Sequence, residues 1–91
     1  MEPDTLYLLD KPEVSLSLEN QTVLAEKLNK LAGFLGCQFI ISTHSPFMLG
    51  TLHAKIYNLD SRDLEEAKWT DLEIVRYFFK FFERHREELK R

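Results

Sequence analysis

The sequence predicts a small α/β domain: a parallel sheet of about three short strands with flanking helices. Three observations carry this. Two nearly continuous apolar runs, Leu6-Tyr7-Leu8-Leu9 and Phe39-Ile40-Ile41, have the length of strands buried on both faces, and each ends abruptly in polar residues. Between them lies a longer segment whose leucines recur with helical spacing. A strand–helix–strand order with a crossover of that length joins its two strands in parallel and right-handed. The 91 residues bound the chain to a single domain, 1–91, with an α/β core over 5–60 and a C-terminal helix over 70–91.

Residues 1–4 are a polar lead-in, and residues 5–9 form the first strand, closed by Asp10. Pro12 cannot donate to a ladder and biases Lys11 toward extended backbone, so residues 13–16 leave the sheet as a loop. Ser17 is a good N-cap, and Glu19 places negative charge in the first turn of the helix it starts. Leu24, Leu28, Leu31 and Leu35 follow at spacings of four, three and four, with Ala25 and Ala32 beside them, making one apolar stripe. Gly33 weakens the last turn and Gly36 ends it.

Residues 38–42 are the second strand. Ser45 is then an N-cap followed by Pro46 at the first helical position, which starts a short helix reaching about Leu52. Residues 55–59 read as a third strand, Asp60-Ser61 as a turn, and residues 62–68 as charged surface. Thr70-Asp71-Leu72-Glu73 has the pattern of a capping box, so the chain is helical from Thr70. Ile74, Val75, Tyr77, Phe78, Phe79, Phe81 and Phe82 cover nearly every side of that helix. Core packing accounts for one face. The excess points to an oligomer interface or a docking surface. Residues 83–91 are a solvated tail of mixed charge.

Composition narrows the function classes. Twelve basic side chains against 15 acidic ones give a net charge of −3, which argues against general nucleic-acid binding. Cys37 is the single cysteine, so there is no internal disulfide framework, and its place beside an apolar strand reads as a small buried hydrophobe. No apolar stretch approaches the ~20 residues that span a membrane. No basic-then-apolar leader opens the sequence, so a cytoplasmic location is the expectation.

Two polar clusters stand at strand ends, where open α/β sheets build ligand sites. Asp10 follows the first apolar run. Alone, it is an ordinary strand-end acid that caps a turn, or a carboxylate able to hold Mg2+. Ser42-Thr43-His44-Ser45-Pro46 follows the second run. Alone, His44 is an ordinary loop histidine, or one able to touch a phosphate or polarise a water.

Together and in order, Asp10-Lys11-Pro12-Glu13, Ser15-Leu16-Ser17, a helix, and Ile40-Ile41-Ser42-Thr43-His44-Ser45-Pro46 resemble the C-terminal half of an ABC-type ATPase nucleotide-binding domain. The branch they are most similar to is the soluble group of AAA-class ATPases related to recombination and chromosome-maintenance ATPases. The resemblance covers residues 6–60, with an echo at Trp69-Thr70-Asp71-Leu72-Glu73. It implies a partial P-loop-NTPase-like fold and ATP and Mg2+ as cofactors. Asp10 would be the Walker B aspartate that supports the metal. Ser15, Leu16 and Ser17 would be the D-loop, at a dimer interface near the opposing nucleotide, and His44 the switch histidine at the γ-phosphate. Partners implied are a second copy or a P-loop-bearing polypeptide, with nucleic acid entering by family resemblance alone.

Two departures bear on catalysis. Lys11 stands where the family has its catalytic glutamate, and a protonated lysine has no acceptor with which to orient or deprotonate water. Lys11 could instead pair with Asp10 or Glu13, sit near a phosphate, or mark relaxed function. Glu13 is a poor substitute because Pro12 restricts the backbone between them. The 91 residues also contain no Gly-x-x-x-x-Gly-Lys-Ser/Thr, the source of most phosphate-binding N–H groups, and no Leu-Ser-Gly-Gly signature. Autonomous hydrolysis is therefore not expected. The reading of a different class is a non-catalytic module that self-associates or binds a partner.

Overall fold

The computed structural model describes residues 2–59 and 65–90. The turn expected at Asp60-Ser61 and the start of the charged stretch lie outside the described residues. The chain divides into two compact units, residues 1–54 and 55–91.

In the first unit, β1 (Leu6–Asp10) and β2 (Gln38–Ser42) pair in parallel, Leu6 opposite Gln38 and Asp10 opposite Ser42. The crossover is α1 (Leu18–Leu35), and α2 (Pro46–Thr51) follows β2. Helix α1 begins where expected: Ser17 is extended, and its hydroxyl accepts the Asn20 N–H at 3.1 Å. The helix ends at Gly36, which takes the left-handed region at φ 67°. A Cβ there would lie 2.6 Å from Asp4 Oδ1, because the lead-in returns to this corner and the Asp4 N–H donates to the Leu35 carbonyl at 2.9 Å. Cys37 is buried and its thiol donates to the Glu2 carbonyl at 3.2 Å.

The core consists of Ala25, Leu28 and Met48, with Leu9, Leu24, Phe39, Ile41 and Leu52 packed around them. Full burial of Leu28 and Met48 is worth about 1.5–3 kcal/mol each. Leu24, Leu31 and Leu35 are half-buried and Ala32 is exposed, so the stripe meets the core through its first half, Leu24 to Leu28. Tyr7 stacks on Phe39, ring centroids 5.7 Å apart.

The expectation of strands buried on both faces is corrected. Both strands alternate: Tyr7, Leu9, Phe39 and Ile41 are half-buried, while Leu6, Leu8 and Ile40 are 53%, 72% and 62% exposed. Helices α1 and α2 supply one covering layer, and among the described residues of this unit none covers the other face.

The third strand is also corrected. Among the described residues the sheet containing Asp10 has two strands. In the second unit β3 (Ile56–Tyr57) pairs antiparallel with β4 (Glu66–Ala67), Ile56 opposite Ala67. Two strands this close in sequence pair antiparallel without a crossover. Glu66-Ala67 gave no sign of this, since neither residue favours strands.

The capping box at Thr70 does not form. Residues Trp69–Asp71 make a 3-10 turn in which the Asp71 N–H donates to Lys68 O and the Leu72 N–H to Trp69 O. That turn takes up Thr70 and leaves Leu72 to cap α3 (Glu73–Arg84) without a side-chain hydrogen bond. Helix α3 breaks at His85, and α4 (Arg86–Leu89) completes the unit. Val75 is the one buried residue of α3. Its rings largely pack on one another: Phe78 on Phe82, Phe81 edge-on to Phe82, and Phe81 against His85.

Candidate functional site

The parallel register decides where the polar residues go. With Asp10 opposite Ser42, the chain leaves both strands at the same end, and the loop after Asp10 and the loop carrying His44 emerge side by side. The ladder continues one bond further, from the Lys11 N–H to the Ser42 carbonyl at 2.7 Å.

Lys11 then departs from the extended backbone expected before proline. Its φ is 48°, in the left-handed region. The physical reason lies in the bonds on either side. Its N–H is held by the ladder, and its carbonyl accepts the Val14 N–H at 3.2 Å to close a turn. A second turn follows, with the Leu16 N–H on the Glu13 carbonyl at 3.0 Å, and it places Ser15 at φ 72°. Left-handed geometry costs an L-residue about 1–2 kcal/mol, so this short loop carries two such costs.

The two turns aim Glu13 across at the other loop. One carboxylate oxygen accepts the Thr43 hydroxyl at 2.7 Å, and the other accepts the His44 N–H at 3.1 Å. The Thr43 oxygen in turn accepts the Ser45 N–H at 3.1 Å. Partial burial pushes the Glu13 carboxyl up, but bonds from Thr43, from its own backbone and from His44, with the nearby His44 charge, together outweigh it. The net effect holds Glu13 below the usual carboxylate value of 4.5.

A second tie runs through Gln21, a buried polar side chain on α1. Its amide nitrogen donates to the Leu16 carbonyl at 3.2 Å, and its amide oxygen accepts the Ser45 hydroxyl at 2.5 Å. The Ser45 oxygen also caps α2 by accepting the Met48 N–H at 3.2 Å. Gln21, Thr43 and Glu13 were not selected as functional from the sequence. A glutamine on the apolar side of a helical stripe was the available signal for Gln21, which falls four residues before Ala25.

The other expected site residues are placed as follows. The Asp10 side chain is exposed and, among the described residues, makes no hydrogen bond or ion pair. Lys11 forms no ion pair with Asp10, Glu13 or any other described residue. His44 is exposed. Ser15 is exposed in the second turn, Leu16 is half-buried with its carbonyl on Gln21, and Ser17 is the N-cap of α1.

The donor set suits one kind of metal binding. Among the described residues no group of three His, Cys, Asp or Glu could hold a metal alone. Mg2+ retains waters and takes one or two carboxylates together with substrate phosphates. The Asp10 carboxylate, which makes no hydrogen bond or ion pair among the described residues, is a donor of the type that mode uses. No helix among the described residues is long and apolar enough to cross a membrane.

The sequence profile of a family described as the AAA ATPase domain matches residues 1–49, which take in β1, α1, β2 and the start of α2. No curated protein matches the chain.

Proposed function

Because the chain belongs to the AAA ATPase domain family, we propose that it forms the C-terminal part of an ABC-type ATP site, supplying the Walker B acid, the D-loop and the switch histidine. The observation that carries this is the parallel register, which brings Asp10 and the His44 loop out at one end of the sheet. ATP with Mg2+ is the cofactor pair, and the metal supplies charge neutralisation at the phosphate oxygens. Asp10 holds the metal's water shell or the metal itself through its uncommitted carboxylate. His44 donates from its exposed imidazole to a terminal phosphate oxygen. Ser15 and Leu16 of the second turn, with Ser17 at the N-cap of α1, face an opposing subunit. The P-loop comes from outside these 91 residues, from a P-loop-bearing partner or a second polypeptide segment. Lys11 leaves the site without a base, so the chain by itself does not hydrolyse ATP.

The test is to isolate the chain with the P-loop-bearing polypeptide it accompanies and titrate Mg-ATP into the complex by calorimetry. Asp10→Asn is expected to remove the Mg2+-dependent part of the affinity, and His44→Ala to weaken ATP about tenfold while leaving ADP unchanged, a loss of about 1.4 kcal/mol. Lys11→Glu is expected to raise turnover of that complex. Tight Mg-ATP binding and turnover by the 91 residues alone would overturn the assignment.

A second reading, a self-associating module, is favoured by α3. Tyr77 is 69% exposed and Phe79 55%, and Phe78, Phe81 and Phe82 are exposed as well. Sedimentation gives the mass in solution, and a strictly monomeric folded chain counts against it.

A further inference from the structure

We infer that Glu13 is a positioning residue: its carboxylate holds the loop after β2, and with it His44, against the loop that follows Asp10 at the end of β1. The inference rests on the nucleotide-site reading of Asp10 and His44 and adds what keeps the two in register.

Four features support it. The two oxygens of Glu13 bind different parts of the opposite loop, the Thr43 hydroxyl at 2.7 Å and the His44 N–H at 3.1 Å, so the contact fixes orientation as well as distance. These bonds join residues 30 and 31 positions apart in the chain. Thr43 passes the constraint on, because its oxygen accepts the Ser45 N–H, and three consecutive residues are thereby ordered by one carboxylate. Finally, Glu13 is presented by a loop fixed by two turn bonds and two left-handed residues, Lys11 and Ser15, so its carboxylate is delivered from a backbone with little freedom.

The same bonds explain why Glu13 does not replace the base missing at Lys11. A base needs a carboxylate ready to take a proton, whereas each Glu13 oxygen already accepts from a donor on the opposite loop, which lowers its basicity. The charged group that acts on it is the His44 imidazole, whose charge favours the carboxylate; Asp10 and Lys11 precede it in the chain by three and two residues, and Lys11 forms no ion pair with it. Ionised, Glu13 makes two charge-assisted bonds. Protonated, it turns one oxygen into a donor and loses an acceptor.

The test uses the 91-residue chain labelled with nitrogen-15. In the native chain the His44 amide proton is expected to titrate with a carboxylate midpoint, because its acceptor changes charge. In Glu13→Gln that titration is expected to vanish, with amide exchange at His44 about tenfold faster, the size set by losing a charged hydrogen bond. Thr43→Val removes one arm only, so the His44 amide should still titrate.

A His44 amide indifferent both to acid and to Glu13→Gln overturns the inference. If the His44 amide titrates as described while Asp10→Asn leaves the Mg2+-dependent ATP affinity of the complex unchanged, the positioning role stands and the metal reading of Asp10 falls. Should Glu13→Gln fail to fold, the native acid titration of the His44 amide decides alone.

Discussion

Ser45→Ala separates the framework of this site from its chemistry. Ser45 is 5% exposed, and its hydroxyl has two jobs. The oxygen caps α2 through the Met48 N–H, and losing such a cap costs about 1 kcal/mol, within roughly 0.5–2. The proton goes to Gln21 Oε1, which is itself buried at 8% exposure. Alanine would orphan that oxygen at a cost of about 1–3 kcal/mol. The expected loss is about 2–4 kcal/mol, large against the stability of a small domain. Urea unfolding followed by far-UV circular dichroism measures it, with sucrose added to keep the variant folded. Gln21→Met keeps the shape and removes the amide, so the double variant should recover about 1 kcal/mol of the summed single losses. A loss below about 0.5 kcal/mol for Ser45→Ala, or additivity within about 0.3–0.5 kcal/mol, would refute the linkage.

Two further outcomes are expected. Gly36→Ala should cost about 1–2 kcal/mol in the same unfolding assay, because its φ of 67° disfavours any L-residue. Asp4→Ala should relieve only the part due to the Asp4 carboxylate, which meets the new Cβ. The acid limb of stability should depend on Glu13. Its folded pKa lies below the ordinary 4.5, so its contribution is complete above 4.5 and is lost as pH falls through the lower folded value. Urea midpoints from about pH 6 down to about pH 3 should therefore fall less steeply in Glu13→Gln than in the native chain.

The elements themselves were largely legible from local signals. Ser17 and Ser45 cap helices because a short hydroxyl side chain can reach an unsatisfied N–H, and that is a property of a few adjacent residues. Gly36 ends α1 because only glycine enters the left-handed region freely. The parallel pairing of β1 and β2 followed from the length of the helix between them. Local pattern failed where a partner elsewhere decided the outcome. Residues 55–59 looked like a third strand of the sheet, but Ile56 paired with Ala67, in a stretch with no strand character of its own. Thr70 looked like a cap until a 3-10 turn displaced the helix start by three residues to Glu73.

The site divides in the same way. Asp10, Ser15, Leu16, Ser17 and His44 are candidates that residue type and order alone select, because strand ends and motif order are written along the chain. Glu13, Thr43 and Gln21 could not, since their roles consist of hydrogen bonds across roughly 24 to 31 positions, of the kind that only folding creates. Lys11 shows the limit most plainly. Its neighbour Pro12 argued for extended backbone, a preference of about one residue's sterics. The ladder bond to Ser42 on one side and the turn bond from Val14 on the other outweighed it and set φ at 48°. The sequence by itself determined which groups stand at the strand ends. Tertiary structure decided how they face one another, because orientation depends on bonds between segments that local preference does not encode.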